Sequence, residues 1–295
     1  MEHLIKILSK PDNIPIILML GLTVYYTWYA TVKGLRNDRA GSPEEAKLTD
    51  KVQVWPYLVK VEFLASLFVM AVLTIWSITL DAPLEEPANP ALTPNPSKAP
   101  WYFLGLQEIL VYFDPWIAGV VLPTLIIMGL CAIPYIDINP KGNGYYTFKE
   151  RWFAILTFHF GFLIMWVSLI VLGTFFRGPG WNLFFPWEYW DTHRVVALTN
   201  VDFTEFFFNI PTRLVDDSLN PLAMIVGSLT IIFWFGIGAV FYLWKRDSEY
   251  IKKMGPIGYS LTAFLFLTMM AVPVKVLLRL LFNIKYILVT PYFNV

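Results

Sequence analysis

The segment that follows residue 99 combines aromatic rings with a single carboxylate in a nearly uncharged stretch. Its candidate chemical groups are Pro100, Trp101, Tyr102, Phe103, Gln107 and Glu108. A carboxylate beside an apolar pocket can accept a proton from a bound substrate, and a tyrosine hydroxyl can hold that substrate by a hydrogen bond. We therefore treat Glu108 and Tyr102 as candidate catalytic residues. The alternative for Glu108 is a solvated interfacial residue.

A second pair of charges, Lys60 and Glu62, lies inside the apolar run that begins near Trp55. Charged side chains in a membrane segment are costly and are therefore candidates for proton delivery or ligand binding. The alternative is that both side chains reach back to the nearby membrane surface, since they lie within about two turns of Trp55. The sequence favours neither interpretation.

The chain contains three histidines and one cysteine. A lone cysteine, Cys131, excludes a disulfide framework, a Cys-x-x-Cys metal site and covalent haem attachment within this chain. Of the histidines, His159 falls within an apolar stretch, where it is either a hydrogen-bonded structural residue or a ligand contact. We predict no metal site.

The composition indicates a membrane protein. Hydrophobic residues make up 57% of the chain and charged residues 15%, against roughly 25% charged residues in soluble domains. Acidic and basic residues balance at 22 each, which argues against nucleic-acid binding. A spanning helix needs about 20 apolar residues. Six stretches qualify, at 14–32, 55–80, 115–136, 152–176, 222–244 and 257–282. We predict an all-α membrane protein with six transmembrane helices.

The distribution of lysine and arginine predicts how these helices are oriented. Loops 34–54, 137–151 and 245–256, together with Lys33 at the end of the first span, carry 12 of these residues, and the other side carries 7. Positive charge favours the cytoplasmic side, so loops 81–114 and 177–221 are predicted to be periplasmic. Both termini would then also be periplasmic, in a bacterial inner membrane. No cleaved leader is predicted before the first apolar stretch.

Two segments of the predicted periplasmic side have distinctive compositions. Residues 81–100 are proline-rich and should form an extended strap, because proline disrupts regular helices. A short amphipathic element should follow at 101–113. Residues 177–191 mix aromatic and polar residues, which favours an anchor at the membrane–water boundary over a ligand cage. Charged residues in that segment are candidates for docking another subunit: Arg177, Glu188 and Asp191.

The strap is the most specific motif in the sequence. It contains Pro87-Ala88-Asn89-Pro90, then Thr93-Pro94, then Ala99-Pro100-Trp101-Tyr102-Phe103. This order resembles the loop between helices E and F of cytochrome b, or of its detached C-terminal half, subunit IV of the bf complex. The second to fourth spans are similar to helices E, F and G of that family.

The resemblance implies four regions in the chain. Residues 1–49 form an extra N-terminal transmembrane helix with a cytoplasmic loop, and 50–176 form the quinone-binding domain similar to the C-terminal half of cytochrome b. Residues 177–221 form the periplasmic aromatic segment. Residues 222–295 supply two additional transmembrane helices.

The resemblance also assigns quinone sites on both sides of the membrane. In the family the glutamate of Pro-Glu-Trp-Tyr accepts a proton from quinol, but here Pro100 occupies that position. The periplasmic site is therefore expected to use Pro100, Trp101, Tyr102, Phe103, Gln107 and Glu108. The family has a Lys-Asp pair after Pro-Tyr on the cytoplasmic side. Lys60 and Glu62 match that pair in type, with the spacing shifted by one residue.

Cofactors and partners follow from the same resemblance. Two bis-histidine haems need four membrane histidines, so this chain is expected to hold no cofactor, with quinone bound at a subunit interface. His159 would then contact quinone or a haem edge if it binds a ligand. The implied partners are a four-helix haem-b subunit, a Rieske iron–sulfur protein and a c-type cytochrome, in a dimeric, lipid-embedded complex. The implied activity is quinol:cytochrome c oxidoreduction with proton translocation. The alternative is a structural membrane anchor without catalytic residues.

Overall fold

The computed structural model of the chain is built from helices. It describes residues 2–10, 13–40, 53–81, 87, 89–91, 96–137, 139–142, 145–194 and 199–295, and among these residues only isolated β-bridges occur beside the helices. The helices are α1 (Glu2–Leu8), α2 (Ile14–Arg39), α3 (Val54–Thr79), α4 (Trp101–Ile109), α5 (Ile117–Ile136), α6 (Phe148–Phe176), α7 (Phe203–Phe208), α8 (Pro221–Lys245) and α9 (Glu249–Phe282).

Six of these helices (α2, α3, α5, α6, α8 and α9) are long and apolar enough to cross a membrane. Each overlaps one of the stretches predicted from hydropathy. The agreement has a physical basis, because a segment in lipid must satisfy its backbone hydrogen bonds internally and therefore forms a helix. The predicted all-α membrane fold with six spans is confirmed.

Two helix boundaries differ from the predicted spans. Helix α2 continues past residue 32 to Arg39, because helical hydrogen bonding does not end where the lipid ends. This extension lets the Asp38 carboxylate accept from the backbone N–H groups of Thr147 (2.9 Å) and Phe148 (3.0 Å) at the start of α6. Helix α9 starts at Glu249 but is interrupted at Gly255, whose φ of 73° is accessible to glycine.

The connecting segments gather at two ends of the helical assembly. At one end Asn294 Nδ2 lies 3.4 Å from Asp114 Oδ2, and Val201 pairs with Ile284. At the opposite end Arg151 forms an ion pair with Asp137. Loops that the sequence assigned to the same side therefore lie together. Which end is cytoplasmic remains a prediction from the charge distribution.

The proline-rich strap is described only in part. Ala88 and the Thr93-Pro94 pair lie outside the described residues, as do residues 41–52 of the predicted cytoplasmic loop. Residues 96–100 run without regular helix directly into α4. The short element predicted at 101–113 is present as α4 followed by a turn.

The buried core joins α4, α5, α6 and α9. Its members are Ile109, Tyr112, Phe113, Ala118, Leu122, Leu169 and Val272. Helix α3 contributes nothing to it, since none of its apolar window is buried inside this chain. Helix α3 therefore presents its whole apolar surface to lipid or to another protein.

Candidate functional site

The first residues of α4 place three aromatic rings at the protein surface. Trp101, Tyr102 and Phe103 are 37%, 48% and 51% exposed, respectively. The centroids of the Tyr102 and Phe103 rings are 4.6 Å apart. Pro100 precedes the helix in an extended conformation, which brings the strap to this aromatic surface. The arrangement forms an exposed aromatic surface at the start of α4.

The opposite face of α4 is buried against α6. Leu104 and Ile109 are almost fully buried. Gly105 permits the close approach of the two helices, because a Cβ atom at this position would lie 3.1 Å from the Trp166 ring. One side of α4 is therefore packed against α6, whereas the side that carries Tyr102 and Phe103 is exposed.

Glu108 lies on this buried face and is 0% exposed. Its Oε1 accepts from Arg177 Nη2 at 2.6 Å and from the Tyr112 hydroxyl at 2.7 Å, and its Oε2 accepts from Arg177 Nε at 3.0 Å. Two parallel N–H···O bonds make this a bidentate ion pair. The alternative that Glu108 is a solvated interfacial residue is wrong.

The environment favours the protonated forms of Arg177 and Tyr112, the two donors around Glu108. Burial would lower the pKa of Arg177, but the hydrogen bonds and negative charge of Glu108 outweigh burial and raise it. Burial, followed by the charge of Glu108, raises the pKa of Tyr112. Both groups therefore keep their protons at neutral pH.

Gln107 fastens the strap to α4. Its Oε1 accepts from the Ala99 backbone N–H at 2.8 Å, and its Nε2 donates to the Ser97 carbonyl at 3.1 Å. The amide of Gln107 therefore holds the backbone that leads into the aromatic surface. Its predicted contact with quinone remains a prediction.

Lys98 makes a second attachment between the strap and the end of α6. Its ammonium group donates to the carbonyl of Thr174 and lies 5.1 Å from the centre of the Trp190 ring. Burial, with a smaller effect from the charge of Lys10, lowers the pKa of Lys98 from 10.5 to about 8, although the Glu108 charge opposes the change. The strap therefore contains an amine that titrates close to the physiological range.

Lys60 and Glu62 do not form a pair in this structure. Both side chains are exposed on α3. Residues two apart on a helix point about 200° apart, so these two charges project to opposite sides. Any quinone site that used both would need another element between them, and their predicted role remains a prediction.

His159 lies in the interior of α6 and has a partner for each ring nitrogen. Its Nδ1 is 2.7 Å from the Ile155 carbonyl, and its Nε2 is 3.0 Å from Thr31 Oγ1 of α2. These contacts are the ones expected if His159 is a hydrogen-bonded structural residue. The arrangement joins the extra N-terminal helix to α6.

The aromatic segment after α6 is divided between interior and surface. Phe184 is 1% exposed, whereas Trp187 and Tyr189 are 74% and 78% exposed. The exposed rings suit an anchor at the membrane–water boundary. Arg177, however, is buried in the Glu108 pair, so the idea that it docks another subunit is wrong. Within the described ranges, no group of three or more His, Cys, Asp or Glu side chains forms a metal site.

The sequence did not lead to three of the contacts in these networks, those made by Tyr112, Arg177 and Thr31. Tyr112 follows Glu108 by four positions, a spacing that places both on one helix face and could have revealed the contact. Arg177 lies immediately after the fourth predicted span, on the same predicted side of the membrane as Glu108. This position indicated their contact only weakly. Nothing in the sequence singled out Thr31 as the partner of His159.

Comparison with known proteins finds similarity in the middle part of the chain. Residues 87–178 match the family model described as cytochrome b (C-terminal)/b6/petD. A cytochrome b/c1 from Bradyrhizobium diazoefficiens is 31% identical over 146 residues, which cover 47% of this chain and 21% of that protein. The chain thus spans about a fifth of the length of this relative. No solved structure matches the chain.

The matched residues include the strap from residue 87 onward, the aromatic surface of α4, Glu108 and Arg177. The match begins at residue 87, so the predicted equivalence of α3 with helix E lies outside it. The resemblance derived from the proline-rich motif is confirmed for the matched part. Residues 87–178 of this chain are therefore similar to the C-terminal family of cytochrome b.

Proposed function

We propose that this chain is the haem-free, quinone-binding membrane subunit of a bc/bf-type quinol:cytochrome c oxidoreductase. The observation that supports the proposal is the two-sided character of α4. The family motif leaves Trp101, Tyr102 and Phe103 exposed in the first turn, while Leu104, Glu108 and Ile109 of the same helix are buried. We propose that this exposed surface is one wall of a quinol pocket. A haem-b-bearing partner subunit would supply the second wall.

Tyr102 is the proposed hydrogen-bonding residue for the quinol ring. It is half exposed, and its ring contacts are with Trp101 and Phe103. In the described part of the chain, its hydroxyl has no hydrogen-bond partner. A free hydroxyl among apolar rings can orient a quinol without losing an existing bond.

Glu108 is the proposed proton acceptor behind this wall. Quinol oxidation releases two electrons and two protons, and we assign the electrons to an iron–sulfur protein and to haem b on partner subunits. Glu108 would accept the first proton as Arg177 shifts away and release it to the periplasm when the ion pair forms again. The second proton would leave through the same carboxylate in a second such cycle. On the cytoplasmic side, Lys60 and Glu62 are proposed to serve proton uptake at the quinone-reducing site. The complete cycle would translocate protons.

The second candidate function is a structural membrane anchor. The observation that favours it is the bidentate ion pair itself, since Glu108 is fully engaged with Arg177 and Tyr112. In this interpretation the pair fixes α4 to the end of α6 and takes no part in chemistry. The two candidate functions predict different turnover for a variant that keeps the ion pair but places the carboxylate at position 177 instead of 108.

The test is a charge-swapped variant of the assembled complex, Glu108→Arg with Arg177→Glu. Quinol oxidation is measured in membranes together with the amount of assembled complex. If Glu108 accepts the proton, the swapped complex should assemble but turn over at least tenfold more slowly, because a positioned base contributes about 10²–10⁴-fold. Wild-type turnover by the assembled swapped complex would establish the anchor function.

If the charge-swapped complex does not assemble, the neutral variant Glu108→Gln with Arg177→Gln distinguishes the same two functions. It removes both charges, so neither is left buried alone. Glu205→Gln is the matched control, since Glu205 is an exposed carboxylate at the same end of the molecule. The control should retain full turnover, and slow turnover in both variants would point to a general charge effect.

A further inference from the structure

A cavity lies between α5, α6 and α9 at the end of the molecule opposite α4. Its volume is about 460 Å³, within the range of roughly 300–1,000 Å³ that is typical of small-molecule sites. Its polar end is formed by the ion pair of Arg151 with Asp137. Arg151 and Arg177 lie at opposite ends of α6, whose 29 residues extend over roughly 40 Å at about 1.5 Å per residue. The cavity and the aromatic surface of α4 therefore face opposite sides of the predicted membrane.

The rest of the cavity is apolar, with aromatic rings from two helices. Phe153 of α6 and Phe266 of α9 both line it, and their ring centroids are 5.2 Å apart. Phe158 contributes a further ring. Aromatic side chains pack favourably on other flat rings in offset or tilted arrangements. Aliphatic and thioether side chains also contribute to the lining: Ile133, Ile136, Met254 and Met269. These walls suit a planar ligand with an apolar body.

The charges at the polar end favour a neutral ligand. Arg151 Nε donates to Asp137 Oδ1 at 2.7 Å, and its Nη2 pairs with Asp137 Oδ2. Its Nη1 donates to the Tyr146 carbonyl at 3.0 Å. The cation is thus neutralised by a carboxylate that lines the same cavity. A phosphate group of a lipid would compete with Asp137 for this arginine and would be repelled by its negative charge.

Two hydroxyl groups of the lining have unused hydrogen-bonding capacity. In the described part of the chain, neither the Tyr250 hydroxyl nor Thr157 Oγ1 makes a hydrogen bond. By contrast, Thr262, which lines the same cavity, donates to the Gly258 carbonyl at 2.8 Å. A hydroxyl group can donate to a carbonyl oxygen, whereas a lipid tail offers no acceptor. An apolar ligand with carbonyl oxygens would therefore satisfy Tyr250 and Thr157.

A break in α9 accompanies the position of Tyr250. Gly255 has a φ of 73° and interrupts the helix, so the segment before it is separate from the long part of α9. Tyr250 and Met254 of this segment are four residues apart and share one helix face. Both line the cavity. The segment thus contributes one face, with its hydroxyl group, to the cavity wall.

We propose that this cavity binds the ring of a quinone, with Tyr250 and Thr157 donating hydrogen bonds to its carbonyl oxygens. A quinone ring is planar and uncharged, which matches the aromatic walls and the neutralised ion pair. The inference rests on the proposed function, since it takes the ligand from a quinone-using complex. Among the described residues, neither Lys60 nor Glu62 lines the cavity. It is therefore a binding site separate from the one proposed around those two residues.

Photolabelling of the purified, assembled complex in detergent tests this site. The probe is an azido-substituted benzoquinone with a short isoprenoid tail, added with and without excess unlabelled quinone. Cleavage after lysine and arginine yields peptides 61–98, 99–141, 152–177 and 254–275. The last two contain cavity-lining residues of α6 and α9. We expect label in these two peptides, and unlabelled quinone should suppress it. Fragmentation of peptide 99–141 separates label at residues 101–103 from label on α5.

Two variants with matched controls locate the ligand. Tyr250→Phe keeps the ring and removes one donor, so half-saturation of cavity labelling should need about two- to tenfold more probe. Tyr135→Phe is its control, because Tyr135 is an exposed tyrosine of α5 outside the lining. Ala154→Leu adds volume at a lining position and should abolish the label in 152–177 and 254–275. Ala30→Leu, at an exposed position of α2, should leave that label unchanged.

The other outcomes separate this inference from the proposed function. Label confined to residues 101–103 or to peptide 61–98 would overturn the cavity site and leave the proposed function intact. Suppression of the cavity label by added phospholipid as effectively as by quinone would identify a lipid site and overturn the inference. The same half-saturation for Tyr250→Phe and the wild type would overturn the role of Tyr250. Absence of quinone-suppressible label from the whole chain would contradict both proposals.

Discussion

Arg177 Nη2 lies 2.6 Å from Glu108 Oε1, in a buried ion pair that joins the end of α6 to α4. The two residues are 69 positions apart in the sequence. The pair fixes the helix that carries the exposed aromatic surface, and it also restrains the carboxylate of Glu108 on the same helix. Stability and chemistry of the site are therefore coupled through one contact.

Removal of one member of this pair should strongly destabilise the protein. Arg177→Gln leaves the Glu108 charge buried without its counter-charge, which costs roughly 3–5 kcal/mol. Thermal unfolding in detergent should show a clear loss of stability, and adding Glu108→Gln should recover part of it. Arg213→Gln is the control, because its ion pair with Asp217 is exposed and should contribute about 0–1 kcal/mol. Equal losses for Arg177→Gln and Arg213→Gln would contradict the buried pair.

Gly227 should tolerate no side chain, unlike Gly236 on the same helix. A Cβ atom at Gly227 would lie 2.5 Å from the Ile287 carbonyl oxygen, whereas one at Gly236 would meet nothing within 4 Å. Gly227→Ala should therefore lower the free energy of unfolding by about 1–3 kcal/mol through overpacking. Gly236→Ala should leave it unchanged or slightly higher. Thermal unfolding of the two variants checks this, and similar values would argue against the close approach of the C-terminal segment.

Lys98 should give the protein a stability that rises with pH. Its pKa is lowered from 10.5 to about 8, so the folded chain releases this proton before the unfolded chain does. Between these two values the unfolded state binds more protons, and folding becomes more favourable as pH rises. The stability of the wild type relative to Lys98→Met should therefore increase through this window and stay flat below it.

Unfolding temperatures measured on both sides of pH 8 test the Lys98 prediction. Lys253→Met is the control, because Lys253 is exposed at the other end of the molecule. It should not reproduce the effect. A stability difference that shrinks as pH rises would show that the folded state does not depress the pKa of Lys98.

The orientation of the chain can be tested by labelling introduced cysteines in intact cells. Lys98 is partly buried, so the exposed Asp216 is the better position on the predicted periplasmic side. With Cys131 replaced by alanine, an impermeant thiol reagent should label Asp216→Cys and not Lys141→Cys. The motive is the excess of Lys and Arg on the side that contains Lys141. Labelling of Lys141→Cys alone would invert the topology.

The isolated chain is expected to contain no b-type haem. Bis-histidine ligation needs paired membrane histidines, and His159 is the only one of the three histidines inside a predicted span. Reduced-minus-oxidised absorbance of the purified chain should show no haem bands, which should appear when a haem-bearing partner is co-expressed. Bis-histidine haem bands from the chain alone would refute this expectation.

The sequence by itself determined the membrane class and the positions of the six spans. Long apolar runs leave no other stable choice in lipid, since every backbone polar group must be satisfied within its own segment. The strap motif likewise identified the family from residues 87–103 alone. The helix ends were less accurate, because hydropathy marks the lipid boundary, whereas the backbone hydrogen bonding of α2 continues to Arg39 and the backbone of α9 is interrupted at Gly255.

Tertiary structure alone decided which polar groups meet. The helices are apolar on all sides, so their patterns do not indicate which face turns toward which neighbour. Glu108 could equally have been solvated or buried until the packing of α4 on α6 brought Arg177 to it. The contact between Thr31 and His159 joins residues 128 positions apart. Such contacts depend on the relative rotation of two helices, a quantity that a sequence pattern uniform around each helix cannot encode.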